Sequence, residues 1–121
     1  MSLPSESRRD DESDAQTMSK HALCRVDELE VGSARRFVVE DQQVCLTHCH
    51  SGFYAVDDIC SHDDFSLAEG EVDPDICEIE CWKHGSLFSL IDGKPTTLPA
   101  TMPVRTYQVI VEDEEVSVIL P

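Results

Sequence analysis

Two short stretches of this sequence concentrate groups that could bind a metal: Cys60-Ser61-His62, and further along Cys81-Trp82-Lys83-His84. Cysteine ligates as a thiolate and histidine through a neutral ring nitrogen, so converging stretches would offer two sulfur and two nitrogen donors. The tips of two facing hairpins supply such convergence. Zinc accepts this donor set in a tetrahedral site. So does a [2Fe-2S] centre in which two histidines replace two cysteines on one iron. At the level of donor types both remain open.

A second concentration, Cys45-Leu46-Thr47-His48-Cys49-His50, is weaker. Strand alternation sends His48 and Cys49 to opposite faces, and Ser51-Gly52 follows as a plain turn, so it reads as a hairpin end.

The elements that must position these residues are short. Apolar segments at 22–26, 35–39, 44–48 and 53–56 read as strands, separated by Gly32, by Glu40-Asp41-Gln42 and by Ser51-Gly52. Residues 66–70 suit a single helical turn ending at Gly70. Residues 76–80 and 87–91 are strand-like, with Asp92-Gly93 as a type I′ hairpin turn. Alternation along 76–80 groups Cys77 with Ile79, so Cys77 is expected as a small buried hydrophobe, and Cys24 likewise in the first strand. The segment 94–103 carries Pro95, Pro99 and Pro103, which remove backbone donors, and is expected as an ordered surface loop outside any ladder. Strands at 107–112 and 116–120 close the chain around Asp113-Glu114. The expected fold is all-β: an antiparallel sandwich or barrel bearing a small subdomain of two hairpin loops.

Composition bounds the function. The chain has 121 residues, the size of one domain, and carries 25 acidic against nine basic side chains for a formal net charge of -16. That balance excludes a nucleic-acid footprint and an anionic membrane surface. It suits attraction to a basic protein partner or adaptation to a salt-rich cytoplasm. No apolar run approaches the ~20 residues that span a bilayer, and the start has no signal-like apolar stretch, so a cytoplasmic location is expected. In that reducing compartment six cysteines point to metal or redox chemistry rather than disulfides. Residues 1–19 hold almost no large apolar groups and are expected to be a disordered polar tail, leaving 20–121 as the domain.

With these residues in view, the sequence resembles the Rieske family. Cys60-Ser-His62 and Cys81-Trp-Lys-His84-Gly85-Ser86, with Phe88 and Asp92-Gly93 following, are similar to its C-x-H and C-x-x-H-G-x-x-F signature. The likeness runs from about Ala22 to the C-terminus and includes Tyr54-Ala55-Val56 and Leu98-Pro99-Ala100. It implies one Rieske-type [2Fe-2S] cluster, with Cys60 and Cys81 as thiolate ligands of one iron and His62 and His84 as ligands of the other. The cluster-binding loops would span about 57–70 and 81–93.

The family's respiratory and photosynthetic members brace these loops with a disulfide whose positions here are Phe65 and Lys83, so that bridge cannot form. They also pair a serine with a tyrosine as hydrogen-bond donors to the cluster. This chain keeps Ser86 but has Phe88, which implies a potential in the lower part of the Rieske range of roughly −150 to +300 mV. The resemblance also implies a potential that falls at alkaline pH, because oxidation acidifies a bound imidazole. It points to a one-electron ferredoxin, not catalytic alone and with no small-molecule substrate, carrying electrons from a flavin reductase to a terminal oxygenase. Trp82 and Leu67, flanked by Asp63 and Asp64, would form its docking patch; Trp82, where family members more often have proline, equally suits shielding the cluster or simple packing. The competing readings are an accessory Rieske-fold subunit of another multicomponent reductase and a zinc-stabilised interaction module.

Overall fold

The computed structural model describes residues 19–60, 65–83, 85–98, 100 and 102–120. Expectations for the N-terminal tail, for Ser61, His62, Asp63 and Asp64, and for His84 and Pro99 therefore fall outside the described residues. Six strands form one antiparallel sheet: β1 (Ser19–Arg25), β2 (Ala34–Val39), β3 (Gln42–Cys49), β4 (Gly52–Asp57), β8 (Thr106–Glu112) and β9 (Glu115–Leu120), in the order β1-β9-β8-β4-β3-β2. Three shorter strands, β5 (Val72–Asp73), β6 (Glu78–Glu80) and β7 (Leu87–Ser89), make a second antiparallel sheet. The all-β expectation holds.

The hairpins close as their turn residues dictate. Glu40 and Asp41, and Asp113 and Glu114, each supply two consecutive positive φ angles, which match the right-handed twist of the strands they join. Asp92-Gly93 differs from expectation: only Gly93 has a positive φ, and β7 ends at Ser89 instead of 91. Beyond it the chain doubles back. Phe88 bridges to Pro95, Ser89 N–H donates to the Lys94 carbonyl, and Thr96 N–H donates to the Leu87 carbonyl. Pro95 thus lies in a short pairing the sequence argued against. A proline tolerates this at an edge, where its missing donor would have faced away.

β3 is the hinge of the architecture because it is buried on both faces. Val44 and Leu46 join Leu29, Ala55, Tyr107, Val116, Val118 and Leu120 in the base core. Cys45 and Cys49 point the other way, into a second core with Val56, Leu67, Ile79, Phe88 and Leu90. That second core is the seam between the large sheet and the small one.

A disulfide crosses the same seam, from Cys49 at the end of β3 to Cys77 just before β6, with Cα atoms 5.6 Å apart. This corrects two readings. Cys77 is buried, but as half of a cystine and not as a hydrophobe, and it sits in a turn with φ of 58° because β6 begins only at Glu78. Two of the six cysteines are therefore committed to a crosslink.

Candidate metal centre

Two loops, one running from β4 of the large sheet to β5 and the other joining β6 to β7, each open on one of the predicted thiol ligands. The first is closed by a bridge between Ile59 and Ser66 and by the Cys60 N–H donating to the Phe65 carbonyl at 2.9 Å. The second is closed by the Cys81 N–H donating to the Ser86 carbonyl at 2.8 Å, with Gly85 N–H returning to the Cys81 carbonyl. In both loops the cysteine amide reaches the carbonyl five residues later, so the two thiols occupy equivalent places at the necks of matching turns.

The first neck is held from beneath by Asp58. Its main-chain carbonyl accepts from Leu67 N–H at 2.6 Å, and its Oδ1 accepts from Ala68 N–H at 3.0 Å. The side chain is fully buried and its Oδ2 has no hydrogen-bond partner among the described residues. The short helical turn Leu67–Glu69 expected at 66–70 is present and stops at Gly70, whose N–H donates to the Leu67 carbonyl. Only glycine fits there: a Cβ would stand 1.6 Å from the Glu80 carbonyl oxygen of β6. The second loop rests on the segment that doubles back after β7. Ser86, fully buried, accepts the Ala100 N–H through Oγ at 3.1 Å, which leaves its hydroxyl hydrogen to donate elsewhere.

Cys60 and Cys81 are both buried and belong to the same apolar cluster. The remaining cysteines are spoken for or unsuited. Cys49 and Cys77 are bonded to each other, and Cys24 lies on β1 against the base core. Burial pushes the Cys45 thiol up to about 12, so it stays protonated, 3.6 Å from the Thr47 hydroxyl. It lies within β3 and on neither ligand loop. Two sulfur donors under one apolar roof are what a mixed sulfur and nitrogen centre requires. The residues fit the group, with His62 and His84 as the nitrogen donors named by the sequence.

The second concentration of ligand types is dispersed. The His48 ring stacks on Phe53 with centroids 3.9 Å apart and bonds through Nδ1 to the Leu29 carbonyl at 2.7 Å. His50 pairs with Asp75 at 3.1 Å, and Cys49 is in the disulfide. Among the described residues no group of three or more His, Cys, Asp or Glu side chains is placed to hold a metal ion.

The rim of the site corrects the predicted docking patch. Leu67 is fully buried beneath the first loop and presents nothing to solvent, whereas Trp82 is 49% exposed. The Trp82 and Phe65 rings meet in a T-shaped arrangement with centroids 5.1 Å apart, and Lys83 Nζ lies 5.6 Å from the Phe65 ring centroid. Leu98 and Met102 on the proline loop are also exposed. That loop is tied to the site by the Thr97 hydroxyl, which accepts Leu87 N–H at 2.9 Å. No helix among the described residues is long and apolar enough to cross a membrane.

Comparison with known proteins agrees with this geometry. Residues 19–108 match the family described as the Rieske [2Fe-2S] domain. The 3-phenylpropionate/cinnamic acid dioxygenase ferredoxin subunit of Photorhabdus laumondii is 43% identical over 96 residues, covering 79% of this chain and 90% of that protein. Among solved structures, the ferredoxin of carbazole 1,9a-dioxygenase from Nocardioides aromaticivorans superposes with a TM-score of 0.76 at 32% identity, over 81% of this chain and 96% of its own. A structure described as the complex of reduced oxygenase and oxidized ferredoxin in carbazole 1,9a-dioxygenase contains a chain 33% identical to this one. Its TM-score is 0.75, over 80% of this chain and 98% of that one.

Proposed function

This chain belongs to the Rieske [2Fe-2S] family, and we propose that it is the ferredoxin component of an oxygenase system, accepting single electrons from a flavin reductase in the cytoplasm and delivering them to a terminal oxygenase. The observation that carries this reading is the pair of equivalent loops that bring Cys60 and Cys81 into one buried cluster. Cys60 and Cys81 would hold one iron, and His62 and His84 the other. When bound, the cluster takes up and releases one electron.

The chain's own residues set the conditions for that exchange. Leu67, Ile79, Phe88 and Leu90 form a dry floor under the thiols and exclude water from the sulfur side. A low dielectric strengthens the interaction of any nearby dipole with a change in charge. Ser86 is the buried hydroxyl beside Cys81 with a hydrogen to give, and Phe88, fully buried in β7, offers none. One donor instead of two stabilises the reduced state less and favours a potential in the lower part of the family's range.

Partners meet this chain through the rim. Half-exposed Trp82 and exposed Leu98 and Met102 give the face around the loops an apolar centre, within a chain of net charge -16. A partner with basic residues around an apolar hollow complements both features, and attraction of this kind sets the encounter rate more than the final affinity.

The test is a reconstituted chain: NADH, a flavin reductase, this protein and a terminal oxygenase. The visible bands of the protein should bleach on adding NADH only when the reductase is present. They should recover when oxygenase and its substrate are added, more slowly as salt rises. A colourless protein carrying one zinc ion would end the reading.

A further inference from the structure

The bonds that close each loop are internal to that loop. Cys60 amide to Phe65 carbonyl shapes the first, and Cys81 amide to Ser86 carbonyl shapes the second, but neither holds one loop against the other. A site that takes one thiolate from each loop needs that spacing fixed to a few tenths of an ångström. In the respiratory and photosynthetic relatives a disulfide between the loops does this, and the two positions concerned are occupied here by Phe65 and Lys83.

Those positions are nonetheless in contact. Lys83 Nζ lies 5.6 Å from the Phe65 centroid, within range of a cation–π attraction, and the Trp82 ring meets the Phe65 ring in a T-shaped arrangement, with centroids 5.1 Å apart and an interplanar angle of 83°. Phe65 is also the residue whose carbonyl receives the Cys60 amide, while Trp82 is bonded in sequence to Cys81. A mechanical path therefore runs from one candidate ligand to the other: Cys60 amide, Phe65 carbonyl, Phe65 ring, Trp82, Cys81.

We propose that Phe65, Trp82 and Lys83 form a non-covalent clamp that fixes the separation of the two ligand-bearing loops, doing with an aromatic ring and a cation what a disulfide does in other members of the family. These are positioning residues that act through Cys60 and Cys81. The inference rests on the cluster reading above. It assigns a use to Lys83, one of only three lysines in a chain with 25 acidic residues. The only disulfide among the described residues ties β3 to the start of β6, at the end of that strand opposite Cys81.

The chain contains a single tryptophan, Trp82, so the clamp has its own reporter. Four variants of the purified protein separate the possibilities: Phe65→Leu, Phe65→Tyr, Lys83→Met, and the double variant Phe65→Leu/Lys83→Met. Phe65→Leu should shift Trp82 emission to the red and raise its quenching by acrylamide. It should also speed loss of the visible bands to a chelator by about two- to tenfold. Phe65→Tyr, which keeps the ring, should restore both. Lys83→Met should speed loss by about two- to fivefold, yet add nothing in the Phe65→Leu background, because its effect runs through that ring.

A role in general stability alone would move the denaturant midpoint in step with cluster loss and would make the two substitutions additive. Either result overturns the clamp, as does Trp82 quenching that is unchanged in Phe65→Leu. Should the wild-type protein carry no cluster, the function reading fails, and the Trp82 measurements still decide for or against the clamp.

Discussion

Cys49 and Cys77 are joined across the seam between the two sheets, 28 residues apart in sequence and both buried. The crosslink pins the end of β3 to the strand from which the second ligand loop departs. Burial keeps attacking thiols away from it, which lets it persist where exposed disulfides are reduced.

Closing a loop of this length removes enough freedom from the unfolded chain to contribute about 3–4 kcal/mol. The variant Cys49→Ala/Cys77→Ala should unfold at a clearly lower denaturant midpoint than wild type, by about that free energy. After the metal is removed under denaturing, non-reducing conditions, four of the six cysteines should react with an alkylating agent. Six reactive cysteines, or an unchanged midpoint, would contradict the crosslink.

Gly70 is where the helical turn under the first loop touches β6. Any side chain would drive the Glu80 carbonyl away, and the backbone cannot yield as a flexible side chain does. Overpacking of this kind costs about 1–3 kcal/mol or more. Gly70→Ala should therefore lower the unfolding free energy by at least about 2 kcal/mol and reduce cluster occupancy, since Leu67 and Asp58 move with it. Normal occupancy and stability would show that the contact is not as tight as described.

Alkaline pH should weaken the fold at a predictable place. Burial raises the Cys45 thiol from near 9 to about 12. The Tyr107 hydroxyl is raised from near 10 to about 12 by burial, and then by the bond it donates to the Asp57 carboxylate. Both folded values lie above their unfolded ones, so the stabilisation is complete below about pH 9 and is lost as pH climbs towards 12. The unfolding free energy should fall across that window by about 1.4 kcal/mol per pH unit for each proton the unfolded chain releases first. Cys45→Ala should start lower but flatten the slope between pH 9 and 10, where Tyr107 does not yet contribute. An identical slope in the variant would remove Cys45 from the explanation.

The ligand loops could be read from the chain because spacing carries chemistry: C-x-H and C-x-x-H name the donors whatever the surrounding strands do. The closing hairpin was equally readable, since Asp113-Glu114 marks the turn between the two apolar stretches that became β8 and β9. What the sequence hid is the seam. β3 is buried on both faces, so alternation separates Val44 and Leu46 from Cys45 and Cys49 without revealing that both sides are covered. Cys77 adopts a left-handed turn that no glycine advertises, which moves it out of the strand its neighbours suggest and into reach of Cys49. Leu67 read as a rim residue because nothing local shows that its turn folds under the loop. Pro95 pairs with Phe88 because an edge position needs no donor from it.

The central claim is that this chain holds a [2Fe-2S] centre through Cys60, His62, Cys81 and His84. Pulsed EPR of the dithionite-reduced protein tests it most directly, because nitrogen ligands on the reduced iron leave their own couplings in the spectrum. Two strongly coupled nitrogens are expected in the wild type, one of them lost on substituting His62 or His84, together with two irons and two acid-labile sulfides per chain. A reduced protein whose iron shows no nitrogen coupling, or one that binds a single zinc ion and gives no signal, would contradict it.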